Sequence, residues 1–311
     1  MLAPLFLYST GLTMRTSLLA LACLAFFFAR ASADLIVDDG FESYGNQQEF
    51  ELVWQPIAPS SPFSADLSTS FGFESQQSVH IPNSADNTRR NELDFALTST
   101  PLLGIGDQLI WSFDFWESFP AGRPQPFYAT LQTAPMPDGS QTGQIVSLGL
   151  NNNQFQGESG GNFFMASISG HSHPDPDEHA NGTTSGAFFK LNDEGIGFRG
   201  DDDGETSAWH NLKLVITTSD GVTADHAYYV DDELAETVTG VGPLQQYGVI
   251  RLGSGRATGG PNAFFDNMRL EYVQGTAAVP EASAVAAMTL VGLLSAWAVW
   301  LRRRRAKEVA A

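Results

Sequence analysis

Through the middle of the chain, apolar positions come in short runs cut off by Gly, Asn, Asp or Pro, and none of these runs keeps a helical period. The spacing predicts strands over 78–81, 92–97, 108–117, 128–133, 145–150, 163–169, 187–191, 209–218, 227–230, 249–252 and 264–272. Within 108–117, Leu109, Trp111, Phe113 and Phe115 alternate with Ile110, Ser112, Asp114 and Trp116, so one face is wholly apolar and the other mixed. Such a strand packs one side into a core and leaves the other for function. Further on, Leu212, Leu214 and Ile216 alternate with Lys213, Val215 and Thr217, Asp220-Gly221 and Asp231-Asp232 mark turns, and Leu234 resumes the pattern. Connections this short predict an antiparallel meander. The expectation for residues 34–275 is one all-β antiparallel sandwich rather than two small domains.

The two ends are patterned differently. Arg15, an apolar stretch from Leu18 to Ala29 and the small residues Ala31-Ser32-Ala33 follow the order of a secretory signal peptide, with cleavage expected between Ala33 and Asp34. At the other end Ala284 to Leu301 carries no charge and is followed by Arg302, Arg303, Arg304 and Arg305. At about 1.5 Å per residue this stretch reaches roughly 27 Å, enough for a transmembrane helix, and the arginines stay on the cytoplasmic side by the positive-inside rule. The expected order is a signal peptide (1–33), the sandwich (34–275), a linker (276–283), a membrane helix (284–301) and a basic cytoplasmic tail (302–311).

Charge narrows the function. Sixteen Lys and Arg stand against 35 Asp and Glu, a formal charge of -19. Residues 34–283 alone hold 9 bases and 34 acids. A field of that sign repels phosphate backbones, which argues against a nucleic-acid partner, and it favours cations. The single cysteine, Cys23, lies in the N-terminal apolar run, so the body has neither a disulfide nor a thiol nucleophile.

Several clusters have the composition of a site. His171, His173 and His179 surround Asp175, Asp177 and Glu178, and Asp201-Asp202-Asp203-Gly204-Glu205 is the densest acidic run. The histidine stretch reads as a solvated loop, because its spacing matches no closed metal site, and the acidic run supplies oxygen ligands without the EF-hand spacing. Trp54, Trp116, Tyr128 and Trp209 offer flat faces to sugar rings. Trp116, on the mixed face of its strand, is the first candidate for ligand binding.

Pro280-Glu281-Ala282, the apolar helix and the arginine cluster resemble the sorting signal of the PEP-CTERM proteins, with Ala282 standing where a second proline is usual. The resemblance implies a membrane-embedded exosortase as partner, which recognises Pro280-Glu281 and removes the helix and Arg302 to Arg305. The order Trp209-His210-x-Leu212, Tyr228-Tyr229-Val230-Asp231, Ile250-x-Leu252-Gly253 and Phe264-Phe265-Asp266-Asn267, with Asp38-Asp39-Gly40-Phe41-Glu42 near the mature start, is similar to concanavalin A-like lectin/glucanase (LamG-type) jelly rolls. That resemblance implies neighbouring first and last strands and, there, either a structural calcium ion held by Asp38 or Asp39 with Asp266 or a strand-end capping role for these acids. Glucanases of the group carry Glu-x-Asp-x-x-Glu on a strand, whereas here Glu92-x-Asp94-x-x-Leu97 lacks the last acid. Glu92, Asp94, Asp114 and Glu117 accordingly read as solvated sheet residues.

Together these features predict an exported, surface-sorted, non-catalytic protein that binds or organises extracellular polysaccharide. The alternatives are a polysaccharide-active hydrolase or lyase, and a structural matrix protein without glycan affinity.

Overall fold

The computed structural model describes residues 32–57, 64–81, 90–95, 99–117, 126–133, 143–151, 163–171, 188–191, 208–254 and 262–275. Ala31, Leu97, Pro280, Glu281, the expected membrane helix, Arg302 to Arg305, His173, His179 and the acidic run from Asp201 lie outside them. The chain divides into Ala33–Gln274 and a second unit made of Met1–Ser32 and Gly275–Ala311. Among the described residues no helix is long and apolar enough to cross a membrane.

Ala33–Gln274 is a sandwich of two antiparallel sheets. The first, sheet A, has the order β13 (Glu233–Val241), β12 (Ala224–Val230), β11 (Trp209–Thr217), β6 (Gln108–Glu117), β15 (Ala263–Gln274), β4 (Ser78–Ile81) and β3 (Asp66–Ser68). Its eighth strand, β1 (Ser32–Asp39), also pairs with β15, so the first and last strands are neighbours as expected. Sheet B has the order β10 (Phe189–Lys190), β9 (Phe163–Ile168), β8 (Ile145–Asn151), β7 (Pro126–Thr133), β14 (Tyr247–Ser254), β5 (Arg90–Asp94) and β2 (Gln55–Pro56).

Alternation decides which residues meet between the sheets. From sheet A, Leu109, Trp111, Phe113, Phe115, Leu212, Leu214 and Ile216 turn inward; from sheet B, Phe127, Ala129, Leu131, Val146, Leu148, Ile250 and Leu252 do. Each of the Leu, Ile, Val and Phe side chains contributes about 1.5–3 kcal/mol on burial. The β11–β12–β13 meander turns at Asp231 and Asp232, both with positive φ (50° and 66°), the twist-matched geometry of a two-residue hairpin. In β15 the inward phase changes from Ala263 and Phe265 to Met268, Leu270 and Tyr272. A bulge between Asp266 and Arg269, with Asn267 at φ 47°, supplies the extra residue.

One element departs from the all-β expectation. Residues Gln47–Val53 form a helix, α1, whose N-cap Asn46 accepts from the Glu49 amide at 3.0 Å while Glu49 accepts from the Gly45 amide at 2.7 Å. Phe50 is its buried residue.

Candidate functional site

The outer face of sheet B is polar, although much of it is buried. On β7 the inward Phe127, Ala129 and Leu131 alternate with Tyr128, Thr130 and Gln132, and Thr130 and Gln132 are only 6% and 7% exposed. The pairing registers carry this pattern across neighbouring strands. Glu92, Arg251, Thr130, Ser147 and Ser167 form one transverse row over β5, β14, β7, β8 and β9. Arg90, Gly253, Tyr128, Gly149 and Met165 form the next. Residues opposite one another in antiparallel strands share a face, so both rows look outward.

An open groove lies on these rows. Two guanidinium groups (Arg90, Arg251), the Tyr128 phenol, the Gln132 amide and the Thr130 and Ser147 hydroxyls converge on it. The Gln132 amide donates to Thr130 Oγ1 at 2.7 Å, and Arg251 Nε donates to Glu92 Oε2 at 2.8 Å. Glu92 therefore fixes Arg251 from the side, and no carboxylate is among the described residues that line the groove. Gly253 lies between Arg90 and Tyr128 without a side chain to separate them. Tyr128 also meets a ring from farther away. Phe188 just before β10 and Tyr128 on β7 would stand about 14 Å apart across a flat sheet, yet their ring centroids are 5.5 Å apart. The two rings lean toward each other over β8 and β9.

Charge is divided between the sheets. The strands of sheet B carry Arg90, Lys190 and Arg251 against Glu92 and Asp94, whereas those of sheet A carry eleven acidic residues against Lys213 and Arg269. Among the described strands the acidic excess therefore lies on sheet A.

Of the described residues singled out by sequence, most lie on sheet A. Trp209, Trp116, Phe264 and His80 form a transverse row on the outer face of sheet A. Phe71 lies against the Trp116 ring at 4.8 Å and stacks on Trp209 at 5.5 Å, and Phe264 meets Trp116 at 5.2 Å. Trp116 is therefore packed among aromatic rings on the sheet away from the groove. Trp54 is fully buried. Of the four aromatics considered for sugar stacking, Tyr128 alone lines the groove.

Asp114 is not a solvated sheet residue. It is 6% exposed and accepts from Asn211 Nδ2 at 2.9 Å and from Asn267 Nδ2 at 2.7 Å. Burial pushes its pKa above the usual carboxylate value. Asp266, opposite Asp114 in the register, is fully buried and is pushed up to about 6, chiefly by burial. It accepts from the amides of Phe73 and Asn267, each at 2.7 Å, and from Ser75 Oγ at 3.0 Å. Asp39 likewise accepts from the Phe41 amide (2.8 Å), the Tyr44 hydroxyl (2.6 Å) and Trp54 Nε1 (2.8 Å).

The oxygens of Asp39 and Asp266 thus each face three N–H or O–H donors, with which a calcium ion would have to compete. Among the described residues no group of three or more His, Cys, Asp or Glu is placed to hold a metal. The local signal for the groove is polar alternation on β7, with Arg251 between the apolar Ile250 and Leu252 of β14.

No family model and no curated protein sequence matches the chain. Solved structures do match. The endo-β-1,4-glucuronan lyase of Trichoderma reesei is 15% identical, with a TM-score of 0.43 over 78% of this chain and 96% of that one. The endo-1,3-β-glucanase of Streptomyces sioyaensis is 15% identical, with a TM-score of 0.44 over 78% and 97%. The carbohydrate recognition domain of Emp46p is 10% identical, with a TM-score of 0.43 over 78% and 96%.

Proposed function

We propose that this is an exported, surface-sorted, non-catalytic protein that holds extracellular polysaccharide in the groove on sheet B of a concanavalin A-like jelly roll. The observation that carries this reading is the convergence of Arg90, Arg251, Tyr128, Gln132, Thr130 and Ser147 on one open groove. Sugars present hydroxyls for such polar groups and apolar C–H faces for a ring such as Tyr128. Glu92, the first acid of the incomplete glucanase pattern, is held by Arg251. Export, with an exosortase acting at Pro280-Glu281, would bring the sandwich to the cell surface, where such polymers lie.

Equilibrium binding to a polysaccharide panel tests the groove. Binding that is lost in Tyr128→Ala supports it, and no binding to any polymer rejects it. Mass spectrometry of the native surface protein tests the route: a mature N-terminus at Asp34 and loss of the residues beyond the Pro280-Glu281 motif are expected, and a full-length polypeptide in the cytoplasm would reject export. The second reading, a polysaccharide lyase, is favoured by the Tyr128 phenol beside two guanidinium groups. Release of unsaturated oligosaccharides, abolished in Tyr128→Phe, would replace the binding role with turnover.

A further inference from the structure

We infer that the groove takes an acidic polysaccharide, with sugar carboxylates received by Arg251 and Arg90 and a sugar ring laid on Tyr128. This rests on the reading of the groove as a glycan site and adds the class of glycan. The first ground is the division of charge: in so acidic a chain, the strands of sheet B have more bases than acids, and the described groove lining has two guanidinium groups and no carboxylate. A guanidinium can donate to neutral sugar hydroxyls, but its planar fork is matched bidentately only by a group such as a carboxylate.

The second ground is the fixing of Arg251. Glu92, opposite it on β5, holds Nε at 2.8 Å while the guanidinium lines the groove. A guanidinium fixed in this way loses little freedom when its planar fork meets a carboxylate, the geometry in which Arg binds such a group most strongly. Arg90, one register row away across Gly253, places a second cation beside Tyr128. Two cations in adjacent rows suit a polymer that presents charge repeatedly better than one isolated anion. Lys190, opposite Met165 on the same face, extends the positive side toward β10. Glu92 is a positioning residue here, acting on the ligand only through Arg251.

The test uses the full-length protein with polygalacturonate and alginate, and with the same polymers after methyl esterification, which keeps the sugar backbone and removes its charge. At least one acidic polymer is expected to bind about tenfold or more tighter than its esterified form, since one charge-assisted hydrogen bond is of that size. Arg251→Gln and Arg90→Gln should abolish the preference for the acid form, whereas Tyr128→Ala should weaken both forms. Glu92→Gln should reduce the preference while leaving binding of the esterified polymer unchanged, a split that a merely structural role would not produce. If Arg251→Gln does not fold, the double variant Glu92→Gln/Arg251→Gln removes both charges together and is read in the same way. Equal binding of acid and ester forms, lost in Tyr128→Ala, overturns the acidic class and leaves the groove standing. Absence of binding to every polymer overturns both.

Discussion

Gly149 on β8 lies directly opposite Tyr128 on β7, so close that a Cβ on it would stand 2.5 Å from the Tyr128 Cα and 2.3 Å from the Phe127 carbonyl oxygen. Neither neighbour is the movable end of a side chain. Gly149→Ala must therefore push β7 away from β8, at a cost of about 1–3 kcal/mol typical of overpacking. Because β7 carries Tyr128, Thr130 and Gln132, polysaccharide binding should weaken along with stability. Urea unfolding and a binding isotherm on the same preparation check this, and a variant as stable as the parent would show that the two strands are not so tightly apposed.

Asp266 should make the protein more stable on mild acidification. Its pKa is raised to about 6 by burial, against 3.8 when unfolded, so the native state binds its proton more readily. The contribution is fully present below the unfolded value and is lost as pH rises through 6. In Asp266→Asn it is gone. The unfolding free energy of the parent relative to this variant should rise by on the order of 3 kcal/mol between pH 7 and pH 4. A difference that stays constant across that range would refute the shift.

His226 should act in the opposite direction. It turns inward from β12, is fully buried, and its Nε2 has no hydrogen-bond partner. Burial, with His171 nearby, lowers its pKa to about 3 from 6.5. Its contribution is present above the unfolded value and is lost as pH falls toward 3. His226→Leu removes both the protonation penalty and a buried nitrogen whose unmet hydrogen bond costs about 1–3 kcal/mol. The variant should be no less stable than the parent at pH 7.5 and should lose less stability at pH 4.5. A greater loss at pH 4.5 would mean that His226 is protonated within the fold.

The sandwich was legible because alternation is local. Leu109, Trp111, Phe113 and Phe115 name their own face, and the Asp231-Asp232 turn fixes the meander. Helix α1 was overlooked because its apolar content comes down to one buried side chain, Phe50, although Asn46-x-x-Glu49 spells a cap. The groove was less visible. Arg251 and Glu92 are 159 positions apart and meet only because β14 pairs with β5. Trp116 was favoured as the outward aromatic of a good strand, which it is. Sequence alternation cannot say that Phe71 and Phe264 would cover its ring, since Phe71 comes from a segment outside the periodic runs. Likewise Asp114 alternates as a surface residue should, and Asn211 and Asn267 enclose it from strands distant in sequence.

Asp39 gives a last prediction, because it separates an acidic side chain that binds a cation from one that anchors a corner. Its carboxylate gathers the Phe41 amide, the Tyr44 hydroxyl and Trp54 Nε1, joining β1 to the segment that ends α1. Phe41 itself has φ 60°, a backbone position that these bonds hold against its steric cost. With three donors on Asp39 and three on Asp266, calcium would have to compete with bonds already made, so melting temperatures in millimolar calcium and in excess chelator should agree within about 2 °C. Asp39→Ala, by contrast, leaves the buried Trp54 N–H without its acceptor and frees Phe41, and should cost about 2–4 kcal/mol with or without calcium. A calcium-dependent rise in the parent that disappears in Asp39→Ala would show that the ion displaces these donors, and would restore Asp39 as a metal ligand.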